Sequence, residues 1–271
     1  MKTRSVAACL VIILLLVSGA AFAADTSHPV AGALNLSAIA WDTVVDDYKE
    51  FYSLHRLERM GIAFAAGGII ANTHTDAMFQ KWYQTDLRSS TTDDIASVNK
   101  NFGEYKYILP ATLAAALVDT MLQNTEYNST VGRWGKRTLR SFLVGAPLLW
   151  LTQNLTGASR PAARRGSDWH PFRDSHGVSG HAFVGAVPFM VMAGMADDNI
   201  VLKSFFYAAS TAAGISRIND NAHYLSQVLL GWYLAWESTN TIRDRDEREK
   251  SYAVQPMMLK DGYGVNVSMT W

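Results

Sequence analysis

Cysteine is almost absent from this sequence: one residue, Cys9, occurs among 271. Cys9 lies within the first 23 residues, which are interpreted below as a cleaved leader. The rest of the chain has no thiol, and this excludes disulfides, cysteine nucleophiles and thiolate metal sites. The fold and any chemistry therefore depend on packing, hydrogen bonds and other side chains.

An excess of either charge is also missing. The sequence has 24 Lys and Arg residues and 24 Asp and Glu residues, a formal net charge of zero. Removal of the leader, which carries Lys2 and Arg4, leaves 22 basic residues and a formal charge of −2. A chain with this balance has no general attraction for nucleic acid, so we expect no nucleic-acid partner. Binding of an anion would require a local cluster of arginine and histidine.

The N-terminus is typical of a signal peptide. Two basic residues precede an apolar stretch over residues 6–17, and Ala21-Phe22-Ala23 supplies a small-x-small cleavage pattern. The apolar stretch is short for a membrane span, so we favour cleavage over an uncleaved anchor. We therefore predict a signal peptide over residues 1–23 and one domain over residues 24–271. The protein is expected to be exported, either to the periplasm or to the outer side of the inner membrane.

Long hydrophobic runs are scarce after the leader, but uncharged stretches rich in Ala, Leu and Met recur, for example over residues 141–159 and 175–196. This composition favours helix. The stretches long enough to cross a membrane contain polar residues such as Gln153 and Asn154. We therefore predict an all-α fold, a multi-helix bundle with helices buried in protein. Membrane spans are the alternative, and association with a membrane surface is left open.

The end of the chain has a different pattern. Residues 243–250 are all charged, and we interpret this run as a solvated helix end. Apolar and polar residues then alternate up to Trp271, and Lys260-Asp261-Gly262 is typical of a turn. These features predict a small β-hairpin over residues 252–271.

Three short segments contain residue types suited to phosphate chemistry. They are Arg160-Pro161, Ser179-Gly180-His181, and Ser216-Arg217 followed after five residues by His223. Arginine forks match phosphate oxygens. A serine hydroxyl and free N–H groups at a helix N-terminus add further donors. A nucleophile and a general acid are also needed, and two histidines suit these roles near neutral pH.

These segments resemble the three signatures of the type 2 phosphatidic acid phosphatase (PAP2) superfamily. The signatures are Lys-x6-Arg-Pro, then Pro-Ser-Gly-His, then Ser-Arg-x5-His-x3-Asp. In this sequence the stretches read QNLTGASRP from residue 153, VSGH from residue 178 and SRINDNAHYLSQ from residue 216. The order and the internal spacing agree, and all three lie within residues 153–227.

The resemblance implies a helical phosphatase that hydrolyses a phosphate monoester or a lipid (pyro)phosphate through a phosphohistidine, without a metal or other cofactor. It implies that His223 attacks phosphorus, and that His181 is the general acid and later the base. The remaining matches imply a phosphate cradle formed by Arg160, Ser179, Gly180 and Arg217.

Two departures from the signatures bear on activity. Gln153 stands where the family has a phosphate-binding Lys, and Gln227 stands where it has the Asp that orients the nucleophilic histidine. On a helix, residue 227 lies one turn after His223 and on the same face. Its amide oxygen can accept the imidazole N–H but supplies no charge. In a serine-protease triad the comparable loss of charge and tautomer control greatly lowers catalytic activity. The third departure, Val178 for Pro, affects only the stiffness of the loop.

Charged residues near the segments are candidates to replace the lost charges, namely Asp220, Arg164, Arg165, Lys136 and Arg137. The polar and aromatic stretch over residues 166–177 leads into Ser-Gly-His. It either borders the pocket, where it would contact the leaving group, or forms an ordinary surface loop.

The departures leave three interpretations open. The first is an active phosphatase, whose substrate is a soluble phosphate ester or a lipid phosphate. The second is a catalytically degenerate relative that binds phosphate or lipid phosphate without turnover. The third is a vanadium-dependent haloperoxidase, because that class resembles these phosphatases in its pocket and holds vanadate on the equivalent of His223. The two missing charges make the third the least favoured.

Overall fold

The computed structural model describes residues 41–121, 129–259 and 262–269. The predicted signal peptide, with Cys9, lies outside the described residues, as do the first two residues of the predicted turn at 260–262. No helix in the described ranges combines the length and the hydropathy needed to cross a membrane.

The described chain is mainly helical, which confirms the predicted all-α bundle. The α-helices are α1 (Trp41–Phe51), α2 (Leu54–Ala71), α3 (Thr75–Trp82), α4 (Ser90–Asn99), α5 (Tyr105–Met121), α6 (Thr130–Thr156), α7 (Gly180–Met195), α8 (Ile200–Ala209), α9 (Ala212–Asn219) and α10 (Leu225–Ser251). A π-helical turn (Tyr83–Leu87) follows α3, and 3-10 turns cover Lys100–Gly103 and Pro161–Ala163.

A hairpin follows α10, as the alternation of apolar and polar residues predicted. Strands β1 (Tyr252–Leu259) and β2 (Gly262–Met269) pair antiparallel. The register places Tyr252 opposite Met269 and Leu259 opposite Gly262. With no third strand described beside it, this two-stranded sheet is an appendage of the helical bundle.

Helix α10 is the central element of the bundle and packs against α1, α2, α6 and α7. Phe183, Leu234 and Ile242 are among the most deeply buried side chains of this core. Each contributes roughly 1.5–3 kcal/mol through removal of apolar surface from water. Gly231 allows the close approach of α10 to the start of α7, since a Cβ there would lie 2.3 Å from the carbonyl oxygen of Ser179. This contact brings the second and third signature segments together.

The charged run at residues 243–250 is only partly a solvated helix end. Residues 247–249 are exposed, but the interpretation was wrong for 243–246, which are partly or fully buried. Asp244, Arg245 and Asp246 pair with residues of other helices and Arg243 pairs within α10, so burial does not leave these charges unpaired. Arg140 of α6, for example, donates to Asp47 at 2.6 and 2.7 Å and to Asp246 at 2.6 Å. We call this group the ion-pair cluster; its members are Asp47, Arg56, Arg140, Glu237, Asp244, Arg245 and Asp246.

Candidate active site

A cavity of about 250 Å³ lies between the N-terminal turn of α7, the facing parts of α5 and α6, and the segments that precede α7 and α10. It collects side chains from all three signature segments. Five of the residues predicted from the sequence line it, namely Gln153, Arg160, Gly180, His181 and His223. The structure therefore places both histidines and one of the two arginines around a common space.

The other three predicted site residues lie behind or beside this cavity. Ser179 is fully buried and its hydroxyl accepts from the backbone N–H of Ala182 at 3.3 Å, so it caps α7. Gln227 is fully buried behind His223. Arg217 does not line the cavity, because its guanidinium donates to the carboxylate of Asp220.

His223 lies between α9 and α10 and is only 3% exposed. Its Nδ1 is 2.8 Å from Oε1 of Gln227, so the predicted contact forms. The predicted reason was wrong, because α10 begins at Leu225 and His223 precedes the helix instead of lying one helical turn before Gln227. Burial lowers the pKa of His223 to about 3; the hydrogen bond to Gln227 opposes this shift and the charge of Arg160 adds to it. The imidazole is therefore neutral near physiological pH, as a nitrogen nucleophile must be.

Hydrogen bonds join the three signature segments into a closed ring. Nε2 of Gln153 donates to the carbonyl oxygen of Val178 at 2.9 Å, which links the first segment to the second. The backbone N–H of Ser179 donates to the carbonyl oxygen of Gln227 at 2.8 Å, which links the second to the third. Nε2 of Gln227 donates to the carbonyl oxygen of Ser159 at 2.8 Å, which returns to the first. Both glutamines that depart from the family pattern thus cross-link the site.

Arg160 combines a positive charge with an unmet hydrogen-bond donor. Its Nε is buried and has no hydrogen-bond partner among the described residues. Burial lowers the pKa of Arg160, and the neighbouring charge of Arg217 lowers it further. An arginine remains charged despite such a shift. The cost of leaving this donor unpaired would be relieved by an oxyanion in the cavity.

Glu104 is a site residue that the sequence analysis missed. Its Oε1 lies 3.2 Å from Nε2 of His181, although the two residues are 77 positions apart. The pKa of His181 is lowered by burial and by Arg217, whereas the hydrogen bond and charge of Glu104 raise it. Gly103 sets this contact, because a Cβ there would lie 2.7 Å from the carbonyl oxygen of His181. The signatures contain His181 but neither Gly103 nor Glu104, so only the tertiary structure reveals the partner of His181.

The stretch over residues 166–177 borders the cavity through one residue. His176 is part of the lining, and its ring centre is 6.4 Å from that of His223, with the rings nearly perpendicular at 86°. Phe172, by contrast, is 73% exposed. The stretch is therefore pocket wall at its end and surface loop in its middle, so each of the two interpretations holds for a part of it.

The candidate replacements for the lost charges do not face the cavity. Asp220 is bound to Arg217, and Arg165 pairs with Asp174 at 2.8 Å. None of the five candidates belongs to the cavity lining. Within the described residues there is also no group of three or more His, Cys, Asp or Glu side chains that could hold a metal ion.

The rest of the cavity lining is apolar or aromatic. It consists of Tyr105, Leu109, Phe142, Leu143, Ala146, Leu149, Trp150, Phe183 and Val184, together with Gly103. Tyr105 and Trp150 are 45% and 49% exposed, so this wall continues to the surface of the protein. The histidines and Arg160 thus lie beside a space suited to an apolar group.

The fold and this cavity define a helical-bundle protein with a cavity lined by histidines and an arginine. Residues 121–244 match the model of the PAP2 superfamily, which confirms the resemblance inferred from the three signatures. The solved structure of the first transmembrane PAP2 type phosphatidylglycerolphosphate phosphatase from Bacillus subtilis shares the fold. It has a TM-score of 0.55 and 18% sequence identity, with 70% of this chain and 95% of that chain covered. No significant match was found among curated proteins.

Proposed function

We propose that this protein is a phosphatase that hydrolyses a phosphate monoester or a lipid (pyro)phosphate, with His223 as the nucleophile. The observation that carries the proposal is the single cavity lined by His223, His181 and Arg160. The match to the PAP2 superfamily and the fold shared with a PAP2 type phosphatase support it.

In the proposed first step, Nε2 of His223 attacks phosphorus while the bond from phosphorus to the leaving oxygen breaks. Protonated His181 gives its proton to that oxygen, so the alcohol leaves neutral. Water then attacks the phosphohistidine and gives a proton to His181, which releases inorganic phosphate and restores His223. Arg160 would stabilise the negative charge on the equatorial oxygens throughout.

The apolar wall supports a lipid phosphate over a small hydrophilic ester as the substrate. Each buried methylene of a substrate chain contributes roughly 0.8 kcal/mol, so a few methylenes in this space would dominate the choice of substrate. Tyr105 and Trp150, at the exposed end of the wall, are residue types that suit a membrane–water boundary. Association with a membrane surface is therefore part of the proposal. Export from the cytoplasm is also part of it, and its support is the signal-peptide pattern of residues 1–23.

Hydrolysis of a generic aryl phosphate by the purified protein tests the reaction. We expect turnover by the wild type, loss of turnover in His223→Ala, and no change in His55→Ala, whose side chain is 60% exposed on α2. Brief reaction with a radiolabelled substrate should leave an acid-labile phosphohistidine in the wild type only. Binding of phosphate without turnover would favour the degenerate relative, and halide oxidation on addition of vanadate and peroxide would favour the haloperoxidase.

The substrate class is tested by a comparison of kcat/KM for a short-chain phosphatidic acid and for glycerol phosphate. We expect the lipid to be favoured by about tenfold or more, because a few buried methylenes suffice for that ratio. Trp150→Ala should reduce kcat/KM for the lipid and leave the value for glycerol phosphate unchanged. Equal values for the two substrates would contradict the lipid proposal and leave the phosphatase proposal intact.

A further inference from the structure

The amide of Gln227 is held by three partners. Its Oε1 lies 3.1 Å from the backbone nitrogen of Tyr224 and 2.8 Å from Nδ1 of His223. Its Nε2 lies 2.8 Å from the carbonyl oxygen of Ser159. All the contacts are buried, so water does not compete for them.

Two of these partners fix which end of the amide is oxygen. A backbone N–H can only donate, so the atom facing Tyr224 must be the acceptor oxygen. A backbone carbonyl can only accept, so the atom facing Ser159 must be the donor nitrogen. Nδ1 of His223 therefore meets an oxygen and must carry the proton. Nε2 is then left with the lone pair that an attack on phosphorus requires.

We propose that Gln227 is a positioning residue that this site requires as an amide, and that the carbonyl of Ser159 imposes the requirement. The inference rests on the proposed function, in which His223 is the nucleophile. A carboxylate at position 227 would place an oxygen against the oxygen of Ser159 with no proton between them. Two buried acceptors facing each other lose a hydrogen bond and repel. A glutamate at position 227, whose carboxylate has the reach of the glutamine amide, is therefore unsuited to this chain near neutral pH.

The carbonyl of Ser159 has little freedom to turn away from residue 227. Ser159 is fully buried, and its hydroxyl donates to Oδ2 of Asp174 at 2.5 Å. Asp174 is itself held by Arg165 at 2.8 Å and by its own N–H, which donates to the carbonyl oxygen of Gly157 at 3.2 Å. The requirement for a donor at position 227 is thus part of the fold around the cavity.

Gln227→Glu tests this requirement, because it replaces Nε2 with oxygen and keeps the length of the side chain. Burial raises the pKa of the introduced carboxyl. In its protonated form the carboxyl can donate to Ser159 as the amide does, whereas in its ionised form it cannot. We expect the ratio of kcat/KM, variant over wild type, to be near one in acid. It should fall by about tenfold or more as the pH rises, in line with the cost of an unpaired buried acceptor.

Gln84→Glu is the control for the same change outside the cavity, at a partly buried amide whose Oε1 accepts from Arg88 at 3.0 Å. The amide of Gln84 also donates to backbone carbonyls, those of Ile218 and Asn219 at 2.9 and 3.2 Å, but it does not line the cavity. The ratio of kcat/KM for Gln84→Glu to that for the wild type should not change with pH. A ratio for Gln227→Glu that is flat, or that rises with pH, would overturn the inference, since a rise would mean that a negative charge is what position 227 needs.

A measurement on the wild type keeps the inference testable if Gln227→Glu does not fold. Nitrogen-15 spectra of the histidine rings, with the His223 signal identified by its loss in His223→Ala, should show the neutral Nδ1–H tautomer at pH 7. An Nε2–H tautomer or an imidazolium would contradict the inference. This result does not depend on turnover. A protein with the expected tautomer and no phosphatase activity would refute the proposed function alone.

Discussion

Buried charges are paired near one end of helix α10, and near the other a buried arginine nitrogen has no partner among the described residues. Gln227 at its start and Arg245 near its end are separated by about 27 Å along the helix axis. Around Arg245, the ion-pair cluster surrounds each arginine with carboxylates. Around Gln227, the cavity contains Arg160 with an unpaired Nε and a histidine that burial keeps neutral.

Two arginines make the contrast concrete. Burial by itself lowers the pKa of Arg140, but Asp47 and Asp246 more than reverse this and raise it. Burial also lowers the pKa of Arg160, and there the nearby charge of Arg217 adds to the effect. The cost of burying charge is thus offset within the protein at one end of α10. At the other end no described residue partners the Nε of Arg160, and under the proposed function a bound anion would offset the cost.

The largest expected effect on stability is at the ion-pair cluster. Arg140→Met removes a partner that Asp47 accepts from twice, and it leaves that buried carboxylate with Arg245. Breaking a buried pair by loss of one partner costs about 3–5 kcal/mol. We expect urea unfolding to show a decrease of this size in the free energy of unfolding, with unchanged specific activity of the folded protein. Loss of activity at undiminished stability would contradict the assignment of Arg140 to structure.

The opposite outcome is expected at the cavity. Arg160→Met should lower kcat/KM by about 10²–10³, the range found when one donor to a reacting oxyanion is removed. Because the guanidinium has no carboxylate partner among the residues that the structure describes, its removal should not reduce the free energy of unfolding. Steady-state kinetics and urea unfolding of the same preparation measure both quantities. An Arg160→Met variant that is less stable but fully active would mean that Arg160, like Arg140, stabilises the fold and does not act in catalysis.

A third test uses the neutrality of His223. Its folded-state pKa is depressed, so between that value of about 3 and the usual 6.5 the unfolded chain binds more protons than the folded one. Stability from this group is therefore complete above pH 6.5 and declines as the pH falls. The decline between pH 6.5 and 5 is about 2 kcal/mol. His223→Asn should remove this part of the acid sensitivity. The test is the free energy of unfolding, measured in urea at several pH values, and the same decrease with falling pH in variant and wild type would contradict the prediction.

The cavity was more predictable from sequence than the ion-pair cluster. Arg160, His181 and His223 lie in short segments whose residue types suit phosphate. The contact between His223 and Gln227 was expected from their closeness in sequence, although His223 precedes α10 and is not one helical turn before Gln227. The apolar, uncharged stretches predicted the helices because their composition is a local property. The contact of Gln227 with Ser159, by contrast, joins residues 68 positions apart.

The same limit explains the misinterpreted charged run. Residues 243–246 are charged in sequence, and a local argument places such residues in water. Asp244, Arg245 and Asp246 have partners on α2, α1 and α6, and Arg140 for example lies 106 positions from Asp246. Arg243 pairs within α10. Whether a charge is solvated or paired depends on which helices meet, and neither composition nor periodicity contains that information.

The smallest expected effect concerns Glu104, a carboxylate that pairs with His181 of the cavity as the carboxylates of the ion-pair cluster pair with arginines. Glu104→Gln removes the charge that raises the pKa of His181, so His181 should lose its proton at a lower pH. The alkaline side of the kcat/KM profile should then shift towards acid, and the acid side should not move. The side chains of Glu104 and His181 are both about 30% exposed. Ion pairs that water reaches contribute only about 0.2–1 kcal/mol to stability. The loss at alkaline pH should therefore be about fivefold or less, and it should shrink in high salt because ions screen the pair. An equal loss at every pH would mean that Glu104 supports the fold around His181 and does not tune its proton affinity.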